Sequence, residues 1–279
     1  MKISKLIFVF LIAIVHIKCS KATESANESA AASLAYKMVW NEEFDNNGLP
    51  SAAKWDYEEG LVRNNEKQFY TRNRTENARI ENGNLIIEAR KENFSGAAYT
   101  SASITTKDKA SWKYGKFEIR AKLPAGSGSW PAIWMLGNEF PNLTPWPKCG
   151  EIDIMEAVGK EPGMVYATVH YGNLWPDAKN KGGNIYNGST YSDFHVYSVE
   201  WTADSMKFFI DKNNYFTFNK ADLLPGYQYP FDKPFYLLLN LAVGGSWGGG
   251  NAAFPPFGID DSSMPQKFII DYVRIYQKS

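Results

Sequence analysis

The sequence predicts an all-β protein, a sandwich or jelly roll of packed sheets, and three observations lead there. Alternation of period two dominates the chain, and turn signals recur between the alternating stretches. No helical stripe extends beyond about one turn, near residues 219–224. Many short strands with frequent turns bury their apolar faces best by stacking sheet on sheet.

In chain order, "YGKFEIRAKL" at 114–123 sets Phe117, Ile119, Ala121 and Leu123 against Glu118, Arg120 and Lys122, the pattern of a half-buried strand. "MVYATVHY" at 164–171, "FHVYSVEW" at 194–201, "FYLLLNLAV" at 235–243 and "KFIIDYVRIY" at 267–276 are rich in the β-branched and aromatic residues that suit a pleated surface. "ENGN" at 81–84 and "DKNN" at 211–214 read as turns.

The 279 residues are 44% hydrophobic and 22% charged, ordinary globular values. Thirty basic side chains balance thirty acidic ones with no long basic run, which argues against a nucleic-acid partner. Nine Trp and sixteen Tyr are unusual, and their placement beside Gly and Pro, as in "GSGSWPAIWMLG", suggests that some line a surface. Lys2 and Lys5 precede an apolar run at 6–15 that is short for a bilayer span and matches a secretory signal over residues 1–18. Export is therefore expected. Cys19 after that run resembles a bacterial lipoprotein cleavage site, although Lys18 departs from the small residue usual there; a plain cleaved signal is the alternative. The product is expected at the cell surface as a lipoprotein, or secreted or periplasmic. Residues 19–35, small and polar, read as a flexible tether, and 36–279 as one domain, expected to be a monomer. Cys149 then stands alone, so the fold rests on core burial; a buried small hydrophobe is the expected role rather than a nucleophile served by His170.

The stretch that breaks the pattern is "GEIDIMEAVG" at 150–159, with carboxylates at Glu151, Asp153 and Glu156. In a regular strand the first two share a face and the third points away. Burying three ionised carboxylates among Ile and Met is costly, so they must border a wet groove, bind a cation or perform chemistry. A β-bulge at Ile154–Met155 absorbs one residue and turns Glu156 onto the face of the other two. The outer pair then sits about 13 Å apart along the backbone. Side chains leaning inward close much of that distance toward the roughly 5–5.5 Å that a retaining glycosidase needs. Asp153 between them would orient the nucleophile and raise its neighbours' proton affinity. A cation site is disfavoured because divalent metals want ligands from several segments. An acidic solvent-facing strand remains the plain alternative.

This stretch resembles the E-x-D-x-x-E signature of glycoside hydrolase family 16 in its bulged, laminarinase-type form. Similar blocks cover nearly all of 38–276: "MVWNEEFD", "NNEKQFYT", "YGKFEIRAKLPAGSGSWPAIWMLG", "FHVYSVEW", "LNLAVGGSWGG" and "IIDYVRIYQ". The resemblance implies a jelly-roll sandwich of two antiparallel sheets with an open cleft across the concave one. It also implies retaining endo-hydrolysis of β-1,3 or mixed β-1,3/1,4 glucans such as laminarin or lichenan. Carried over, Glu151 is the nucleophile, Asp153 its helper and Glu156 the acid/base, and no cofactor is required for chemistry.

Trp130 and Trp134 match cleft tryptophans, whose flat faces suit a glucose ring; core packing is the other reading. Asn65 and Glu66 match positions that contact sugar hydroxyls, with turn chemistry as the alternative. His170 matches a position beside the leaving group, and Trp247 one that closes an end of the cleft. Ser103, in "SASITT", stands where family laminarinases often carry Arg, which leaves linkage preference open. Many members hold a structural Ca2+ opposite the cleft, and the matching positions are Glu43, Gly83 and Asp271. The rival functions are a related enzyme for strict mixed-linkage glucan, a galactan or transglycosylation, and a glucan-binding module without turnover.

Overall fold

The computed structural model describes residues 35–249 and 258–279. The expectations for the signal and for Cys19 therefore lie outside the described residues. Within them the chain forms seventeen strands. The first nine are β1 (Tyr36–Glu42), β2 (Asp56–Tyr57), β3 (Gln68–Tyr70), β4 (Ala78–Glu81), β5 (Asn84–Phe94), β6 (Ala97–Ser101), β7 (Ser103–Thr105), β8 (Gly115–Lys122) and β9 (Ser129–Gly137). There follow β10 (Glu151–Glu156), β11 (Met164–Gly172), β12 (Ala178–Tyr186), β13 (His195–Trp201), β14 (Ser205–Ile210), β15 (Asn213–Asn219), β16 (Phe235–Val243) and β17 (Gln266–Lys278). One short helix, α1 (Gly245–Gly248), and two brief 3-10 turns at Lys220–Asp222 and Asp261–Ser263 complete them.

The strands form two sheets. Seven run β12-β11-β10-β9-β16-β7-β2; the other ten centre on β15-β14-β13-β8-β17-β5-β6-β3, with β1 added to β17 and β4 to β5. Pairing is antiparallel throughout except for β3 with β6, which is parallel. The all-β, jelly-roll expectation is met, with that one parallel pair as its departure.

The sheets meet over one core. From the ten-stranded side come Phe117, Ile119 and Ala121 of β8 with Val199, Phe208, Phe268 and Ile275; from the seven-stranded side come Ile133, Met135, Ile152, Val169, Leu237, Leu239 and Leu241. Each such fully buried large aliphatic or aromatic side chain contributes about 1.5–3 kcal/mol relative to exposure. On β8 the outward Lys116, Glu118, Arg120 and Lys122 stay partly exposed, so the alternation that predicted the strand is the alternation of its two environments. The β4–β5 hairpin closes through Asn82 and Gly83, both at positive φ (53° and 73°), the two-residue turn that "ENGN" announces.

Strands β9 and β16, at the centre of the seven-stranded sheet, are buried along their whole length, with apolar side chains packed on both of their faces. Inward lies the core. Outward, Ala132, Trp134, Leu136, Cys149, Tyr236 and Leu238 form a second apolar cluster. Cys149 is buried there, and burial pushes its thiol up to about 12, which suits the packing role and not a nucleophile.

Candidate active site

The outer face of the seven-stranded sheet carries a cleft of about 560 Å³, where Glu151, Asp153 and Glu156 face Trp130, Trp134, Trp146 and Trp247. What puts three acids on that face is a register slip. Against β9, Glu151 pairs with Leu136 and Asp153 with Trp134; then Met155 pairs with Ile133 and Glu156 with Ala132. Two steps on β10 thus match one step on β9 between Asp153 and Met155. Against β11 the slip recurs, Asp153 facing Thr168 and Glu156 facing Tyr166. Ile154 and Met155 both sink into the core, fully buried. Leu136, Trp134 and Ala132 belong to the outward cluster, so all three acids share their face. The bulge falls at the two residues the broken alternation marks.

The surroundings treat the acids differently. Glu151 Oε2 accepts a hydrogen bond from Trp146 Nε1 at 2.9 Å, and its Oε1 lies 3.7 Å from His170 Nε2. Glu156 Oε1 accepts one from Trp130 Nε1 at 2.9 Å. Asp153 is buried, with Oδ2 3.1 Å from His170 Nε2, close enough for an ion pair but poorly aligned for a hydrogen bond. His170, the register partner of Glu151, therefore stands against Glu151 and Asp153. Two carboxylates offer only acceptors to each other, so the cationic imidazole of His170 is what Asp153 and Glu151 share.

Proton affinities follow. Burial and then the charge of Asp153 push Glu151 up, while the His170 charge and the Trp146 bond pull it partly back. Burial pushes Glu156 well above the usual carboxylate range, Asp153 and Glu151 add to the effect, and the Trp130 bond offsets only part of it. His170 is opposed by burial, but its contact with Asp153 and the facing carboxylates outweigh this and lift it to about 9. At neutral pH it is a cation beside Glu151. Of the two glutamates, Glu156 is pushed up further, by burial first, and is the one that keeps its proton.

Beneath the cleft runs a buried polar chain. Trp134 Nε1 donates to Asn240 Oδ1 at 2.7 Å, Asn240 Nδ2 to Tyr70 Oη at 3.0 Å, and Tyr70 Oη to Glu66 Oε2 at 3.0 Å, where Gln68 Nε2 also donates at 2.7 Å. Glu66 is thus largely engaged by protein, and burial raises its proton affinity. Arg63 lies over the Trp134 ring, 4.9 Å from its centroid, and pairs with Glu58, to which Ser103 Oγ donates at 2.6 Å. The position where an Arg resemblance lapses is therefore one end of a Ser103–Glu58–Arg63 chain leading to a cleft tryptophan.

Trp247, on α1, packs edge-on against Trp130 at 5.5 Å and Tyr166 at 5.0 Å and lines the cleft. Its loop packs closely there: Gly245 sits at φ +83°, which favours glycine, and a Cβ would lie 3.1 Å from Asn64 O and Glu66 Cγ, so that a neighbour would have to give by a few tenths of an ångström. Ser246 N donates to Asn64 O and Lys67 N to Val243 O, stitching the two segments together. Asn65 is not brought to this cleft: at φ 54° it turns outward to an adjoining hollow, and Asn64 takes the inner place, donating to Glu66 Oε1 at 3.3 Å. The sequence reading missed Trp146, Arg63 and Asn240. Asn240 was the findable one, a lone amide in the apolar run "FYLLLNLAV".

On the opposite face, β17 changes partner, from β5 (Ile270 against Leu85) to β1 (Glu42 against Val273). Asp271 falls at the change, where a second bulge opposes Asp271 and Tyr272 to Arg120. The ends of β1 and β5, and with them Glu43 and Gly83, converge there. A carboxylate with main-chain carbonyls is a donor set of the right kind for Ca2+. The side chains are otherwise engaged: Asp271 pairs with Arg120, and Glu43 accepts two bonds from Arg274, at 3.0 and 2.9 Å. Among the described residues the one cluster of metal-ligating side chains is Glu151, Asp153 and His170, in the cleft.

Comparison with known proteins decides the family. The model of "Glycosyl hydrolases family 16" matches residues 65–266. The chain is a member of glycosyl hydrolase family 16. A beta-glucanase of Rhodothermus marinus is 46% identical over 252 residues, covering 87% of this chain and 85% of the relative. Among solved structures, the laminarinase of Rhodothermus marinus superposes with a TM-score of 0.80, 46% identity and coverage of 88% and 98% of the two chains. SCLam, described as a non-specific endo-β-1,3(4)-glucanase of family 16 and co-crystallised as a mutant with a glucan oligosaccharide at its active site, gives 0.79 at 41% identity, covering 87% and 95%. As a family 16 member the chain is a glycoside hydrolase, and the family needs no cofactor for its chemistry.

Proposed function

We propose that this family 16 hydrolase is a retaining endo-β-1,3(4)-glucanase that cuts laminarin- or lichenan-like chains by double displacement. The observation that carries the mechanism is the bulge: it sets Glu151 and Glu156 on one cleft face, with the cation His170 in ion-pair range of Glu151. Glu151, ionised and held by Trp146, attacks the anomeric carbon while Glu156 gives its proton to the departing glycosidic oxygen. Glu156, now a carboxylate, takes a proton from the water that displaces Glu151 and releases the sugar with its β configuration restored. The indoles of Trp130 and Trp134, with Trp247 at one end, offer flat apolar faces for glucose rings, and Glu66 and Asn64 border the path of the chain. The glucan substrate is supported by the named activities of the relatives. The purified enzyme should release reducing ends from laminarin and lichenan and none from agarose, with proton NMR showing the β anomer first. Agarose cleavage would move the substrate to galactans, an α product would exclude double displacement, and binding without turnover would make the protein a glucan-binding module.

We further infer a structural Ca2+ held by Asp271 with the main-chain oxygens of Glu43 and Gly83, tying the ends of β1 and β5 to β17. It takes no part in the chemistry. Added Ca2+ should raise Tm and a chelator reverse the change, and Asp271→Asn should abolish the response; an unresponsive wild type would refute the site. For residues 1–35 the proposal is export with processing at the signal and lipid on Cys19. Metabolic labelling with a fatty acid, lost in Cys19→Ala, checks it; unlabelled, released protein would mean a plain cleaved signal.

A further inference from the structure

A bulge that re-aims a side chain also strands a piece of backbone. Ile154 has no ladder partner on either neighbour: β9 pairs with Asp153 and then Met155, and β11 with Asp153 and then Glu156. A buried carbonyl at such an irregular position is costly to leave without a donor. One donor comes from the other sheet. Tyr215 Oη donates to Ile154 O at 3.4 Å.

Tyr215 reaches there through a bulge of its own. In β15, Phe216 pairs with Phe208 and Asn214 with Phe209, so Tyr215 is the extra residue. Regular alternation would send it outward, since Phe216 and Phe218 are the core-facing residues of that strand. The bulge turns it inward instead, and Asn214 Nδ2 closes the gap by donating to the carbonyls of Phe208 and Phe216, both at 3.1 Å. Two extra residues, one in each sheet, thus meet across the core behind the acids. The Tyr215 hydroxyl is also close enough to Glu156 for that carboxylate's charge to act on it.

We infer that Tyr215 is a positioning residue: by holding the Ile154 carbonyl it fixes the bulge that aims Glu156 at the glycosidic oxygen. Glu156 follows Ile154 by two residues, so a turn of the Ile154 peptide moves the acid directly, whereas Glu151 lies on the regular, doubly paired part of β10. Loss of the hydroxyl should therefore impair proton donation and spare the nucleophile. The inference rests on the assignment of Glu156 as the acid.

Leaving groups separate these effects. For Tyr215→Phe, kcat/KM on unactivated glucan should fall about tenfold. On a dinitrophenyl β-gluco-oligosaccharide, whose leaving group departs without a proton, kcat/KM should stay within about twofold. Glu156→Gln should show the same selectivity in larger measure. Tyr197→Phe, which takes from the same core a hydroxyl that makes no hydrogen bond, should show none. Equal losses on both substrates, no loss on either, or the same selectivity in Tyr197→Phe would overturn the role of Tyr215. A Glu156→Gln variant without leaving-group selectivity would overturn the acid assignment and the inference with it.

Discussion

Two faces of this sandwich carry many carboxylates, and they treat them in opposite ways. On the outer face of the ten-stranded sheet arginines answer them: Arg274 holds Glu43 below its usual range, and Arg74 draws Glu92 down to about 2 through two bonds of 2.7 and 2.9 Å. On the cleft face Glu151, Glu156 and Glu66 are all pushed up, by burial first. Both faces use a bulge to turn an acid, at Asp271 in β17 and at Glu156 in β10. One meets an arginine in water; the other meets more carboxylates out of it. Chemistry lies where charge is left unbalanced, because only there does a carboxyl hold a proton it can give away.

The largest effect that could break this contrast is at Glu151. Glu151→Gln should cut turnover on the order of 10⁴-fold or more, because a nucleophile has no substitute, while glucan affinity by calorimetry stays near wild type. Substantial residual hydrolysis would remove the nucleophile from β10. Next is the cation in ion-pair range of Glu151. His170 favours ionised Glu151, so His170→Phe raises that carboxyl's proton affinity. The acid limb of kcat/KM should move up by roughly one pH unit, a tenfold loss on that limb. A downward shift would mean that the imidazole does not act as a charge there.

How much of this could be read from the sequence differs by residue. Alternation announced β8, β11, β13 and β17, because one face of each is dry and the other wet. It could not announce β12, "AKNKGGNIY", a largely exposed edge strand defined only by its pairing with β11. The break between Asp153 and Glu156 gave away the bulge, since three acids gain nothing from an apolar interior. Trp146 and Arg63 were not legible, because each reaches the cleft from a loop whose path depends on tertiary packing. Asn65 and Asn64 were separable only by backbone: both carry positive φ, and it is the main-chain carbonyl of Asn64 that Ser246 N binds.

A finer probe is the indole on the acid. Trp130 donates to Glu156 and so lowers its proton affinity, against the larger push of burial. Trp130→Phe keeps an aromatic face and removes the N–H. Glu156 should then hold its proton more tightly, moving the basic limb of kcat/KM to higher pH by roughly a few tenths of a unit, on the order of one neutral hydrogen bond. A move to lower pH would show that the indole reports on something other than the acid.

The smallest effect tests the other side of the contrast. Glu92 is depressed to about 2 in the folded protein against an ordinary 4.5, so its stabilisation is present above the ordinary value and lost as pH falls toward the folded one. The pair with Arg74 is partly exposed, with side-chain exposures of 29% and 24%, so solvent screening holds its worth to about 1 kcal/mol or less. Glu92→Gln should lower Tm by about 2–4 °C at pH 7, and by less than about half of that near pH 3. High salt should shrink the difference as well. The kinetic constants on glucan should not change, because a carboxylate neutralised by its own arginine has no proton to lend and no field to spare for the cleft. A change in kcat from so small a loss of stability would mean that the outer face is wired to the acids after all.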